Sequence, residues 1–354
     1  MKNAAVNNAE YVLENLTRTL LYEGYSLYPY YRSAIKNQKP IPFGVVFPKE
    51  YNEDNQHAHS IMQTGCIVEG IDAVINIRVR FLHLITIKIF QSENNTENFQ
   101  PVYSLKINNN FYQCGWQTIE RKIDAGTLPV AGLMKEKTIP FHFDKSEEEE
   151  LIYDERKNTA GKKINFISAI EGTIMIQTVP LKDLDNTYKI TVQILNNTPI
   201  ESATSLKRDD ILTQSFISTH TILNAENGKF ISHQDPPEKY KQVINGCRNL
   251  HCYPILIEAD DTTLLSSPIA LYDYPQINPQ SSGDLFDSTE IEEALLLHVG
   301  MLSEDEKNRI SQTDEKLKTM LNKVNNITPQ ELMNFHSHLK QKEENQIVNQ
   351  NNNV

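Results

Sequence analysis

The chain has 354 residues, with 34 Lys and Arg against 46 Asp and Glu, a formal charge of −12. A surface of that sign repels phosphate backbones and anionic lipids, so nucleic-acid binding is set aside and basic protein surfaces, cations or neutral ligands are favoured as partners. Four cysteines, Cys66, Cys114, Cys247 and Cys252, are too few and too scattered for a secreted disulfide scaffold, and no uncharged apolar run approaches the ~18 residues a spanning helix needs; a cytoplasmic protein with no membrane insertion is expected.

Asn8 can cap a first helix in which Val12, Leu13, Leu16 and Leu20 form one face and Gly24 supplies the stop. An aromatic stretch follows, with basic residues closing it, and then a strand-like run from Phe43 to Phe47 ended by Pro48. Between Ile75 and Ile89 the odd positions read Ile75, Ile77, Val79, Phe81, His83, Ile85, Ile87 and Ile89, with Asn76, Arg78, Arg80, Thr86 and Lys88 between them. That period of two predicts a strand, and its length predicts a bend near Leu82 to Leu84, where the even positions also turn apolar. Ile164 to Val179, Tyr188 to Ile194 and Phe216 to Leu223 are further strand candidates, so the interior should be sheet against sheet. Gln91 to Gln100 and Asp144 to Ala160 read as surface insertions, and the Glu147 to Glu150 run within the second as a solvated loop or helix face. Toward the end the period becomes helical: Glu290 to His298, a capping box from Ser303 to Glu306, and an N-cap with proline at Thr328 and Pro329.

The predicted fold class is α+β: an antiparallel β-sandwich-like body with an N-terminal helix and a helical C-terminal region. Its divisions are 1–42 (helix and Tyr-rich segment), 43–145 (β-rich), 146–160 (acidic linker or loop), 161–287 (second β-rich region), 288–343 (helical) and 344–354, an Asn- and Gln-rich tail expected to be disordered.

Three groups of residues have chemistry to offer. Tyr25, Tyr28, Tyr30, Tyr31, Arg32 and Lys36 concentrate rings and positive charge in an acidic chain, the composition of a protein interface, though tyrosines at a core edge would read the same way. Cys247, His251 and Cys252 carry ligand types that zinc and nickel accept, as do His57 and His59 ahead of Cys66, but without a paired Cys-x-x-Cys. Cys247 beside Arg248, with His220 or His251 as base, is also a conceivable nucleophile, whereas Gly246-Cys-Arg-Asn249 equally reads as a helix stop. Asp284, Asp287 and Glu290 could converge on a hard cation, or serve as the cap and acidic first turn of a helix. No cofactor is predicted.

Several segments stand together: Leu21-Tyr-Glu-Gly-Tyr25 with Leu27-Tyr-Pro-Tyr30 and Lys36-Asn37, His220-Thr-Ile-Leu223, Asp235-Pro-Pro237, Gly246-Cys-Arg-Asn249, Leu265-Ser-Ser-Pro-Ile269, Tyr272-Asp-Tyr-Pro275, and Gly283 through Ile291. From about Leu21 to Lys307 the chain resembles a family of uncharacterised bacterial proteins encoded beside high-affinity uptake nickel–iron hydrogenases and their maturation factors. That resemblance implies a context, with hydrogenase subunits or maturation factors as partners, and assigns no activity; the leading expectation within it is a non-catalytic accessory protein that binds other polypeptides during assembly, maturation or electron-transfer coupling. A metal-dependent or Cys-dependent enzyme, or a metal carrier, is the alternative.

Overall fold

The computed structural model describes residues 10, 13–22, 43–51, 58–93, 98–108, 110–133, 136–200, 208–257 and 259–275. In chain order these residues form helix α1 (13–22) and strands β1 (Ile61–Glu69), β2 (Val74–Ser92), β3 (Phe99–Val102), β4 (Ser104–Ile107), β5 (Asn110–Gln113), β6 (Gly115–Pro129), β7 (Lys137–Phe143), β8 (Ser146–Tyr153), β9 (Thr159–Ile167), β10 (Ile170–Pro180) and β11 (Thr187–Asn196). They continue through α2 (Arg208–Leu212), β12 (Ile217–Glu226), β13 (Lys229–Phe230), α3 (Lys241–Asn245), β14 (Tyr253–Leu256) and β15 (Thr263–Ser267). The described fold is therefore mostly antiparallel sheet with few helices.

One sheet has the order β13-β1-β11-β10-β7, and the other β14-β15-β12-β2-β9-β8, with β6 and β3 also paired to β2 and a β4-β5 hairpin apart. The inward residues alternate as a pleat requires. Met62, Cys66 and Val68 of β1, Ile174 and Ile176 of β10, and Ile190, Val192 and Ile194 of β11 meet the odd positions Ile75 to Phe81 of β2 in one core. Phe216 stacks on Phe81 with ring centroids 4.6 Å apart, and Phe141 lies 5.4 Å from Phe216. These rings need the absent side chain of Gly172, since a Cβ there would run into Phe141 and stand 2.7 Å from the Leu195 oxygen and 2.8 Å from Phe216.

β2 runs unbroken for 19 residues, so the predicted bend is replaced by a change of neighbour. On one edge it pairs β12 as far as Leu82 and β9 from Ile85, while β6 follows the other edge from Val74 to Ile87. Two strands laid end to end keep the long one straight. The even positions near the changeover are buried as well, and α1 is tied to this second face. Arg80, 3 % exposed, holds the two oxygens of Glu14 at 2.7 and 3.0 Å and Glu120 at 2.6 Å.

Two further expectations need correction. Phe43 to Phe47 makes only a single bridge, Val46 with Phe216, because Gly44 turns at φ +58° under Pro268. The acidic run expected as a loop is strand β8, which pairs along β9. It is solvated as expected, with Glu147 to Glu150 all exposed. The two β-rich stretches are interleaved, since β1 pairs β11 and β2 pairs both β9 and β12. The helical region 288–343 and the tail lie outside the described residues.

Candidate functional site

The loop carrying Cys247, His251 and Cys252 is placed by the end of α3. The Gly246 and Cys247 N–H groups turn back onto the carbonyls of Gln242 and Ile244, at 3.2 and 2.8 Å, and the chain leaves the helix there. It then lies along β1. Gln63 and Leu250 exchange both backbone hydrogen bonds at 3.1 and 2.9 Å, the Gly65 N–H donates to Asn249 Oδ1 at 2.8 Å, and Gln63 Nε2 donates to the Arg248 carbonyl at 2.7 Å. Lys189 Nζ adds a bond to the Gly246 carbonyl at 2.6 Å. Glycine at 65 leaves room for this approach, since a Cβ would meet the Arg248 oxygen tightly, at 3.1 Å.

This docking brings Cys66 and His59 to the predicted group. All four cysteines are free thiols. Burial, with Cys247 and Cys252 nearby, raises the Cys66 thiol well above its ordinary pKa. Burial also raises Cys252, against hydrogen bonds from Ser266, Thr64 and Leu250, and raises Cys247, against the charge of Lys189. The Cys252 thiol donates to the Gln63 carbonyl at 3.0 Å, and that of Cys247 to Val243 at 3.5 Å. A thiol held protonated in this way is a poor nucleophile and a poor metal ligand at neutral pH. His251, at φ 62°, stacks on His59 with ring centroids 3.4 Å apart. Burial and the neighbouring His59 lower its pKa. Among the described residues no group of three or more His, Cys, Asp or Glu is arranged to hold a metal ion.

His220 is not poised as the base for Cys247. Its Nδ1 donates to the Ser218 carbonyl at 2.7 Å and its Nε2 takes the Ser267 hydroxyl at 3.2 Å, with His220 and both serines fully buried. A hydroxyl–imidazole pair with no route to solvent is a core hydrogen bond. Burial above all, with the charge of Arg80, drives the His220 pKa down to about 4.

Among the described residues the two most exposed tyrosines, Tyr272 and Tyr253, lie instead at β14, with Tyr274 close to Tyr272 in the chain. Segment 271–275 closes the outer edge of that strand: the Leu256 N–H donates to Asp273 Oδ1 at 2.8 Å, and the Tyr274 N–H donates to the Leu256 carbonyl at 2.7 Å. Asp273 also accepts the Ser232 hydroxyl, and Gln234 bonds the Leu271 carbonyl at 2.6 Å, so the segment is fastened from both sides. Tyr253, Tyr272 and Tyr274 stand 54 %, 78 % and 43 % exposed on this frame. Tyr253 and Leu256 are about 10 Å apart along the strand. The Tyr274 hydroxyl donates to Asp261 at 2.7 Å, and burial together with that carboxylate pushes its pKa up to about 12. No protein-family model and no curated protein matches the chain.

Of the sequence-predicted residues, Cys247, His251 and Cys252 do share one loop, with their thiols turned to the backbone. Tyr25, Tyr28, Tyr30, Tyr31, Arg32, Lys36, His57, Asp284, Asp287 and Glu290 lie outside the described residues. The tyrosines of 253, 272 and 274 were missed as a surface. The signal was Tyr272-Asp-Tyr-Pro275, two rings two residues apart ahead of a proline.

Proposed function

We propose that the chain is a non-catalytic accessory protein that binds other polypeptides, acting in the assembly, maturation or electron-transfer coupling of a nickel–iron hydrogenase. The hydrogenase setting rests on the residue motifs from Leu21 to Lys307. Binding rests on the exposed trio Tyr253, Tyr272 and Tyr274, three large amphipathic rings on a hydrogen-bonded edge, the side chains that dominate protein interfaces at small entropic cost. Asp261 accepts the Tyr274 hydroxyl and Ser232 links Asp235 to Asp273, so acidic residues accompany this edge and suit a partner with arginine or lysine opposite it. Tyr25 to Lys36 is proposed as a second contact on composition alone, and 288–343 as a helical region. The proposed compartment is the cytoplasm, without nucleic acid as a ligand.

A cysteine-dependent reaction at Cys247 is disfavoured by the burial that raises its thiol pKa. Tagged chain is recovered from its native host and the retained proteins are identified by mass spectrometry. A hydrogenase subunit or maturation factor should be retained by the native chain, and lost when Tyr253, Tyr272 and Tyr274 are all replaced by alanine. Because these rings are exposed, the melting temperature should hardly move. Undiminished retention by the triple variant refutes the site, and the absence of hydrogenase proteins refutes the setting.

A further inference from the structure

Antiparallel pairing turns alternate residues of a strand toward each neighbour, so a strand with one neighbour leaves every second N–H and C=O free along its outer edge. Among the described residues β8 has only β9 beside it, over eight residues containing neither proline nor glycine. The other sheet ends offer less. β13 is two residues long, the outer edge of β14 is taken by Asp273 and Tyr274, and β7 carries Pro140, which has no N–H to give. Among the described residues β6 pairs only β2, but its first seven residues are half-buried and it turns at Gly126 before ending at Pro129. In β8 every residue but Ile152 is exposed.

The side chains of β8 decide what kind of strand it admits. Glu147 and Glu149 share one face, and Glu148 and Glu150 the other. Glu149 is paired to Lys162 at 2.8 Å and Glu150 to Lys163 at 3.9 Å, whereas no ion pair joins Glu147 or Glu148 to any described residue. Side chains of an added strand would stand about 4.5–5.5 Å from these carboxylates on both faces. A second copy of β8 would be repelled; an oppositely charged strand would not. Beyond the acids, Leu151 and Tyr153 are 40 % and 52 % exposed and continue the edge with apolar area.

We infer that the free edge of β8 is a strand-addition site for a lysine- or arginine-rich extended segment of a partner polypeptide, held by main-chain hydrogen bonds and selected by Glu147 to Glu150. Pairing of this kind takes affinity from the backbone and specificity from alternate side chains. The site is separate from the tyrosine surface and does not depend on it.

The probe is a fluorescein-labelled octapeptide with four central lysines between valine pairs, titrated with the full chain at about 50 mM salt. Saturable binding is expected, with slowed amide exchange in β8. N-methylation of alternate peptide amides, tried in both registers, keeps the charge and removes the donors; in one register it should weaken binding at least about tenfold. Glu147→Lys combined with Glu148→Lys should weaken it as much, and the melting temperature should stay near the native value because neither residue has an ion pair among the described ones. If that variant unfolds, the N-methylated peptides and the exchange data on the native chain decide the matter. The triple tyrosine variant should bind the peptide like the native chain. No binding, binding indifferent to N-methylation in both registers, or binding lost with the tyrosines overturns the inference.

Discussion

Stability should fall steeply as the pH drops from neutrality to about 5, because the buried His83 and His220 and the half-buried His233 are held neutral. His83 donates from Nε2 to the Thr213 carbonyl at 3.2 Å and faces Arg121 at 3.5 Å, and burial with that charge lowers its pKa from 6.5 to about 4. His220 has both nitrogens occupied and also falls to about 4, as does His233, lowered by burial against the charge of Asp273. In the unfolded chain these rings titrate near 6.5, so between 6.5 and 4 the unfolded state binds more protons. The histidine contribution is thus present above pH ~6.5 and lost as the pH falls toward ~4. A shift from 6.5 to about 4 gives about 2 kcal/mol per ring between pH ~7 and ~5, roughly 5 kcal/mol for the three, against a total stability of ~5–15. Urea unfolding across this range measures the slope directly. His220→Gln should remove about a third of it, whatever it does to stability at neutral pH. A flat profile, or an NMR titration placing these rings near 6.5 in the folded chain, would refute the reasoning.

Gly172→Ala should destabilise by ~1–3 kcal/mol through overpacking, read as a lower urea midpoint with an unchanged m-value, because its Cβ would press on Phe141 and Phe216. Arg80→Ala should lose about 3 kcal/mol by leaving Glu120, 16 % exposed, without its guanidinium partner and by loosening α1; Glu14→Gln should lose less, since Glu14 is 46 % exposed. In a thiol-reagent assay near neutral pH, Cys66 and Cys252 should react only on unfolding, and Cys247 more slowly than a free thiol; rapid native labelling of Cys252 would overturn the buried, protonated assignment.

Local pattern was enough to find the inner face of the body. Alternation from Ile75 to Ile89, and again from Tyr188 to Ile194, is imposed by a pleat with one face inward: Ile75 to Phe81 and Tyr188 to Ile194 line the main core, and Ile87 and Ile89 a second cluster with Leu105 and Ile152. The α1 face, the stop after α3 and the start of β14 were legible for the same reason, since each depends on neighbours a few residues away. Glu147 to Glu150 carried no such signal. Four carboxylates favour solvent in a loop or a strand alike, and only pairing along β9, whose Lys162 and Lys163 sit 13 residues away from the acids they meet, made this run a strand. The bend expected in β2 was a local inference from length, overruled because β12 and β9 lie end to end along it. For the candidate sites, sequence could name Cys247, His251 and Cys252 by residue type but not say where their thiols donate. That depended on Gly65 and Gln63 of β1, more than 180 positions away, drawing the loop onto the sheet. Tyr272 and Tyr274 came beside the strand of Tyr253 only when Asp273 and Tyr274 closed the edge of β14 at Leu256. Hydrogen-bond partners so distant in the chain are chosen by the packed backbone, and no local period encodes them.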